Sequence, residues 1–235
     1  MARPFFWGMG MTHYVLREDL SYCRVGDQLV FMDIGSDRYF QIPHRFEQIF
    51  LAHVNGFEDL DSGISYLIER SILVEQTKRA VDSRPDIQPA VRSAMEAPHN
   101  PQRLRVRELI EVFAIVLRTR FDMKTSTLSR ILDRLSAERY LRAAQAMPYT
   151  NLSEHHIANA AAVFRRGRLY VPIEMCCLLD SMAMTRFLLR RRIHAHVVFG
   201  IALDPFSAHC WVQVGDLVLN DSVGNVHSHT PIRVV

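Results

Sequence analysis

The spacing of hydrophobic and polar residues changes period twice along the chain. From 12 to 42 the apolar residues come in short β-rich runs, "HYVL", "SYCRV", "QLVFMDI" and "RYFQI", separated by "REDL", "GD" and "GSD". This punctuation predicts a small antiparallel meander. After Pro43 the period lengthens: Phe46, Ile49, Phe50 and Val54 share one face of a helix that Asn55-Gly56 ends. Ile64, Leu67 and Ile68 form a second helical stripe within 61–70, and "ILVE" follows as a short strand or helix end. The segment 84–102 holds four prolines and breaks the pattern, as a linker or domain boundary would. Helical periods return at roughly 103–120, 125–143 and 152–166, and again from about 176 to 190. The last part reads as strands, "AHVVFGIAL", "AHCWVQV" and "LVLND". These elements predict an α+β chain with a first domain at 11–83, a linker at 84–102 and a second domain at 103–235.

Composition narrows the class. The 235 residues are 49% hydrophobic, enough for one large core or two small ones. No run of about 18 apolar residues predicts a membrane span, and "MARPFFWGMGM" lacks the form of a signal peptide, so the expected location is cytoplasmic. The net charge is +3. Arginine is dense in "LRVRELIEVFAIVLRTR" and "RFLLRRR", but without interleaved aromatics or a docking motif these read as solvated helix faces, and no nucleic-acid partner is expected. The four cysteines, Cys23, Cys176, Cys177 and Cys210, form no C-x-x-C pair, so free thiols are expected and neither a disulfide framework nor zinc.

The doubled cysteine is the candidate chemistry. On a helix from 176 to 190, Ser181, Met184 and Leu188 fall within about 40° of Cys177, while Leu179, Arg186 and Arg190 cluster on the opposite side, the expected solvent face. Cys177 then points toward the following sheet, and Cys176 lies about 100° away. A thiol in the first turn also feels the positive end of the helix dipole, which favours the thiolate. His209 and Asp221 lie twelve residues apart on strands flanking "GD". An imidazole to move a proton and a carboxylate to orient it complete a nucleophilic triad. Pleat parity makes this a test. A two-residue loop at Gly215-Asp216 sets His209 opposite Ser222 and turns Asp221 to the other face, leaving Asn220 as the orienting residue; a three-residue loop sets His209 opposite Asp221. The triad therefore predicts an odd or bulged turn. Cys210 alternates with His209 and reads as buried filler. His194 with His196, His155-His156, and His227 with His229 lack partners at ligand spacing, and no metal or other cofactor is expected.

With "CLLDSMAM", "AHVVFGIALDPFSAHCWVQV" and "VLND" in hand, the C-terminal part resembles the leader peptidases of lasso-peptide biosynthesis, whose fold is transglutaminase-like and related to papain-like cysteine proteases. The family pattern starts at Cys177, and His209 and Asp221 match its base and orienting carboxylate. Asp180 stands where relatives often carry a basic residue. "VFMDIGSDRYFQI" followed by "FEQIFLAHVNG" resembles the PqqD-like winged helix-turn-helix recognition element of peptide-modifying pathways. That resemblance implies leader capture as an added strand. Arg38, Tyr39, Phe40 and Gln41 would form the edge, and Tyr66 and Arg70 of a third helix the groove wall. It also implies a lasso precursor peptide as substrate and a separate ATP-using cyclase as partner. Two other readings remain at this level, an inactive leader-binding scaffold and an acyl transferase running on the same triad.

Overall fold

In the meander, each turn is set by a residue that tolerates a left-handed backbone. Gly26, at φ +59°, begins the two-residue turn between β2 (Leu20–Val25) and β3 (Gln28–Asp33), and Asp37, at φ +52°, leads into β4 (Arg38–Phe40). The computed structural model describes residues 14–56, 62–75, 87–96, 104–143 and 153–235. Strands β2, β3 and β4 form one antiparallel sheet. The first run does not join it: β1 (Tyr14–Leu16) pairs instead with β5 (Leu73–Glu75), the "ILVE" segment. Two helices, α1 (His44–Val54) and α2 (Ser62–Glu69), lie between. The helix expected as a third is thus the second among the described residues.

Strand β3 reads "LVFM" without alternation because both its faces are buried. Leu29 and Phe31 pack with Phe46, Phe50 and Leu67 into the core of this first unit. Val30 and Met32 point the other way, into a cluster with Ile131, Leu132 and Leu135 of α4 (Leu128–Ala143) and with Val197, Phe199 and Ile201 of β7 (His196–Ala202). The two halves of the chain therefore share a core.

The second half is built on a five-stranded sheet of order β10-β7-β8-β9-β6, with β8 at Ser207–Val214, β9 at Leu217–Val218 and β10 at Thr230–Val234. Its last strand, β6 (Arg92–Ser93), comes from the proline-rich segment expected as a linker and pairs parallel to β9. Arg92 anchors it through Asp216 at 2.7 Å and Glu154 at 2.6 Å; 84–86 and 97–102 lie outside the described residues. The five-residue α7 (Val223–His227) and β10 have no counterpart in the sequence reading, because Pro231 interrupts the last apolar run where a bulge shifts the register.

Helix α6 (Cys177–Leu189) packs on the sheet beneath α3 (Val106–Thr125) and α5 (Glu154–Arg168). It has no broad solvent face. Leu179 is buried in the core, Arg186 pairs with Asp122 at 2.7 Å, and of the three residues expected outside only Arg190 is exposed. A helix covered on nearly all sides defeats a one-face reading. No helix of the described residues is long and apolar enough to cross a membrane.

Gly200 of β7 leaves room for Trp211 across the sheet: a Cβ there would sit 2.6 Å from Trp211 Cζ3 and 3.1 Å from His229 Cβ. Gly200→Ala is expected to lower stability by about 1–3 kcal/mol through overpacking. Urea unfolding followed by tryptophan fluorescence checks this.

Candidate active site

The start of α6 is held from behind. Arg168, almost wholly buried on α5, donates to Asp180 Oδ1 at 2.5 Å and to the carbonyls of Val171 and Glu174 at 3.2 and 3.0 Å. The other Asp180 oxygen accepts the N–H of Cys176 at 3.3 Å. Asp180 therefore fixes both the approach to the helix and its cap, and the acidic residue at this position has a structural task that the sequence did not reveal. Cys176, in an extended conformation, is the cap residue, and Cys177 is the first helical residue. Both thiols are exposed. Cys177 interacts with His209 and Cys210 on β8.

The route by which Asp221 reaches His209 differs from expectation. The turn is the two-residue Gly215-Asp216, with Val214 opposite Leu217 and Gln213 opposite Val218. Parity would send Asp221 to the wrong face, but the strand ends at Val218. Leu219 still donates to Val212 O at 2.8 Å, whereas the Val212 N–H goes to the side-chain oxygen of Asn220 at 2.7 Å. The amide stands in for the ladder carbonyl, and the main chain is free to turn away. Asn220 also donates to Ser181 Oγ at 2.9 Å, and that hydroxyl donates to Cys210 O at 3.1 Å, tying the new path to α6 and β8. Asn220 is thus not the residue that orients His209. Beyond it, Ser93 Oγ donates to Asp221 O at 2.5 Å, and the Asp221 carboxylate meets His209 Nε2. The odd or bulged turn that the triad predicts is absent, and the three groups still meet.

Their charges follow from these contacts. Hydrogen bonds from the Cys210 thiol and then from His209 hold the Cys177 thiol down to about 4 against partial burial, and the Cys210 N–H adds to them. His209 is pushed up to about 9, first by its bond to Asp221 and then by Cys177. Burial alone would raise Asp221, but bonds from His209, Asn225 and the Ser222 N–H hold it below its ordinary value. The bond to Cys177 and burial raise Cys210 far above an ordinary thiol, so it keeps its proton. At neutral pH the line is thiolate, imidazolium, carboxylate. With Nε2 taken by Asp221, the other ring nitrogen remains available to the sulfur. Such a pair can attack a carbonyl carbon and hand a proton to the departing group.

Four residues around the line were not singled out in these roles. Cys210, expected as inert filler, faces α6 as a thiol donor to Cys177. Asn225, on α7, donates to Asp221 Oδ2 at 2.9 Å. Trp211 stacks near His209 with centroids 6.2 Å apart. His229, expected to lack partners at ligand spacing, lies 5.1 Å from the His209 ring. Asn225 arrives on the helix missing from the sequence reading, and His229 in the bend between it and β10; only "NDSVGN", with its capping Ser222, offered a signal.

The six residues expected to receive a leader separate into two places. Arg38, Tyr39, Phe40 and Gln41 line a cleft of about 670 Å³ between β4 and the β7–β8 turn. Tyr66 is not among its lining residues; it stacks on Phe46 at 3.7 Å between α1 and α2, with the Arg70 guanidinium 5.3 Å over its ring. Strand β4 pairs only with β3 among the described residues, so its outer edge carries no strand.

Comparison with known proteins gives three findings. The family model of the transglutaminase-like superfamily matches residues 115–234, which hold α6 and all three residues of the line. Over 46 residues the chain is 48% identical to the microcin J25-processing protein McjB of Escherichia coli. That alignment covers 20% of this chain and 22% of the relative, so the chain spans about a fifth of the length of the curated relative it matches. No solved structure gives a significant match.

The paired charges set a pH window. Alkylation of Cys177 by iodoacetamide is expected to rise as pH increases through about 4, where the thiolate forms, and to change again through about 9, where His209 loses its proton. Asp221→Asn should move the upper limb down toward the ordinary imidazole range, because it removes the main interaction holding His209 protonated. Rates measured by intact mass across pH 3 to about 10 check both limbs.

Proposed function

The chain belongs to the transglutaminase-like superfamily, and on that footing we propose that it is a cysteine peptidase that removes the leader from a lasso precursor peptide. The observation that carries this reading is the thiolate of Cys177 at the first turn of α6, exposed to solvent and paired with a protonated His209 that Asp221 holds. The likeness to a protein named for processing microcin J25 supports the substrate class.

In the proposed reaction the Cys177 sulfur attacks the carbonyl carbon of the leader–core bond. His209 gives its proton to the core nitrogen, the C–N bond breaks, and the leader remains as a thioester on Cys177. The neutral imidazole then takes a proton from water, whose oxygen attacks the thioester; the leader acid leaves, and the sulfur departs as thiolate, restoring the ion pair with His209. Asp221 keeps its charge and holds the ring. The first-turn N–H of Cys177 is the proposed donor to the oxyanion. The N-terminal unit acts as the PqqD-like recognition element, taking the leader on the free edge of β4. A separate ATP-using cyclase is the proposed partner for the freed core.

Incubation with the lasso precursor, followed by mass spectrometry, tests the reading. Cys177→Ala is expected to lose leader release by at least about 10⁴-fold, while Cys176→Ala retains it within about tenfold. Loss in Cys176→Ala alone would place the nucleophile on the wrong cysteine. Precursor left intact by the unaltered protein would remove the peptidase reading.

A further inference from the structure

Phe206 is a large aromatic side chain left 54% exposed in the β7–β8 turn, three residues before His209. Folding gives no reason for it. Its ring meets that of Tyr39, edge to face, with centroids 5.6 Å apart and planes at 62°. Neighbouring positions of β4 point in opposite directions: Phe40 stacks on Phe31 within the first unit, whereas Tyr39 packs against the cluster shared with the second half. Tyr39 packs against the cluster that holds Cys210 of β8 and Leu178 of α6, the sequence neighbours of His209 and Cys177, and burial first, then nearby charge, pushes its phenol up to about 12, so it stays neutral. The two rings, with Val30 and Leu203, form an apolar wall in the cleft, and Asp37, Arg38 and Asp204 stand among its polar lining. The cleft therefore runs along the free edge of β4, and its Tyr39 wall backs onto the cluster that holds the sequence neighbours of Cys177 and His209.

We propose that Tyr39 and Phe206 form a subsite of the active site that takes an apolar side chain of an extended peptide beside the bond attacked by Cys177. The substrate class rests on the peptidase reading. The site is composite, since one ring comes from each half of the chain. Tyr39 is then a specificity residue at the reacting end of the substrate, and the N-terminal unit contributes to the choice of bond as well as to capture. An extended chain suits the place, because the edge of β4 offers backbone donors and acceptors along one side while the rings offer contact area on the other.

The experiment uses the full chain in a Cys176→Ala background and reads alkylation of Cys177 by two reagents, iodoacetamide and N-benzyl iodoacetamide. Each rate is divided by that of the same reagent with glutathione. The subsite predicts a preference for the benzyl reagent of about three- to tenfold, the scale of one aromatic contact. Phe206→Ala, at an exposed turn position, should return the ratio to about one, and Tyr39→Leu should lower it too. A ratio near one in the parent protein, or a preference that survives Phe206→Ala, overturns the proposal. Neither measurement needs a peptide to be cut. A benzyl preference without precursor cleavage would retain the subsite and remove the peptidase reading, whereas cleavage without the preference would do the reverse.

Discussion

The side chain of Asn220 accepts the Val212 N–H at 2.7 Å and donates to Ser181 Oγ at 2.9 Å, and the line of Cys177, His209 and Asp221 hangs on these two bonds. Had β9 continued as a regular strand, the carbonyl of Leu219 would have taken that N–H and the pleat would have carried Asp221 away from His209. With the ladder bond supplied by a side chain, Leu219 O is released to accept from Arg165. The chain turns, and Asp221 comes to lie between His209, Asn225 and the cap of α7. The Ser181 hydroxyl, buried and donating to Cys210 O, locks this turn to the helix that carries the nucleophile. One amide thus links sheet, helix and turn.

The same close packing explains how two ordinary thiols come to differ so much. Cys177 and Cys210 are hydrogen-bonded, yet one is held down to about 4 and the other far above a free thiol. The exposed sulfur at the helix start has an imidazolium to balance its charge, and the buried one has none. Cys210 therefore serves as a donor. Arg168 and Asp180 maintain the arrangement from the other side by fixing the path into Cys176.

Much of this was legible in the sequence. A helix from about 176, which starts at Cys177, the apolar stripes of α1 and α2, and the residue types at 177, 209 and 221 follow from periodicity and chemistry, although Val54 of the α1 stripe is exposed. What failed did so for local reasons. Parity arithmetic holds only while a strand lasts, and nothing in "LVLND" announces that Asn220 ends it by side-chain mimicry. A one-face reading misplaced Leu179 and Arg186 because α6 is buried on nearly all sides. Proline spacing suggested a linker at 84–102, although two of its residues suffice to add a parallel strand once Arg92 finds Asp216 and Glu154. Tyr66 and Arg70 were grouped with the β4 residues, but their ring contacts lie between α1 and α2. Because β3 buries one face in each half, the first unit is joined to the second by shared packing, which fixes the free edge of β4 relative to Cys177.

The most direct test of the central claim is to trap the covalent intermediate. Rapid acid quenching of the protein with its lasso precursor, followed by mass spectrometry of the peptide containing Cys176 and Cys177, should show the leader as a thioester on Cys177. Recovery of that acyl group on Cys176, or steady cleavage in which acid quenching at every time point yields free leader and no thioester, would contradict the account.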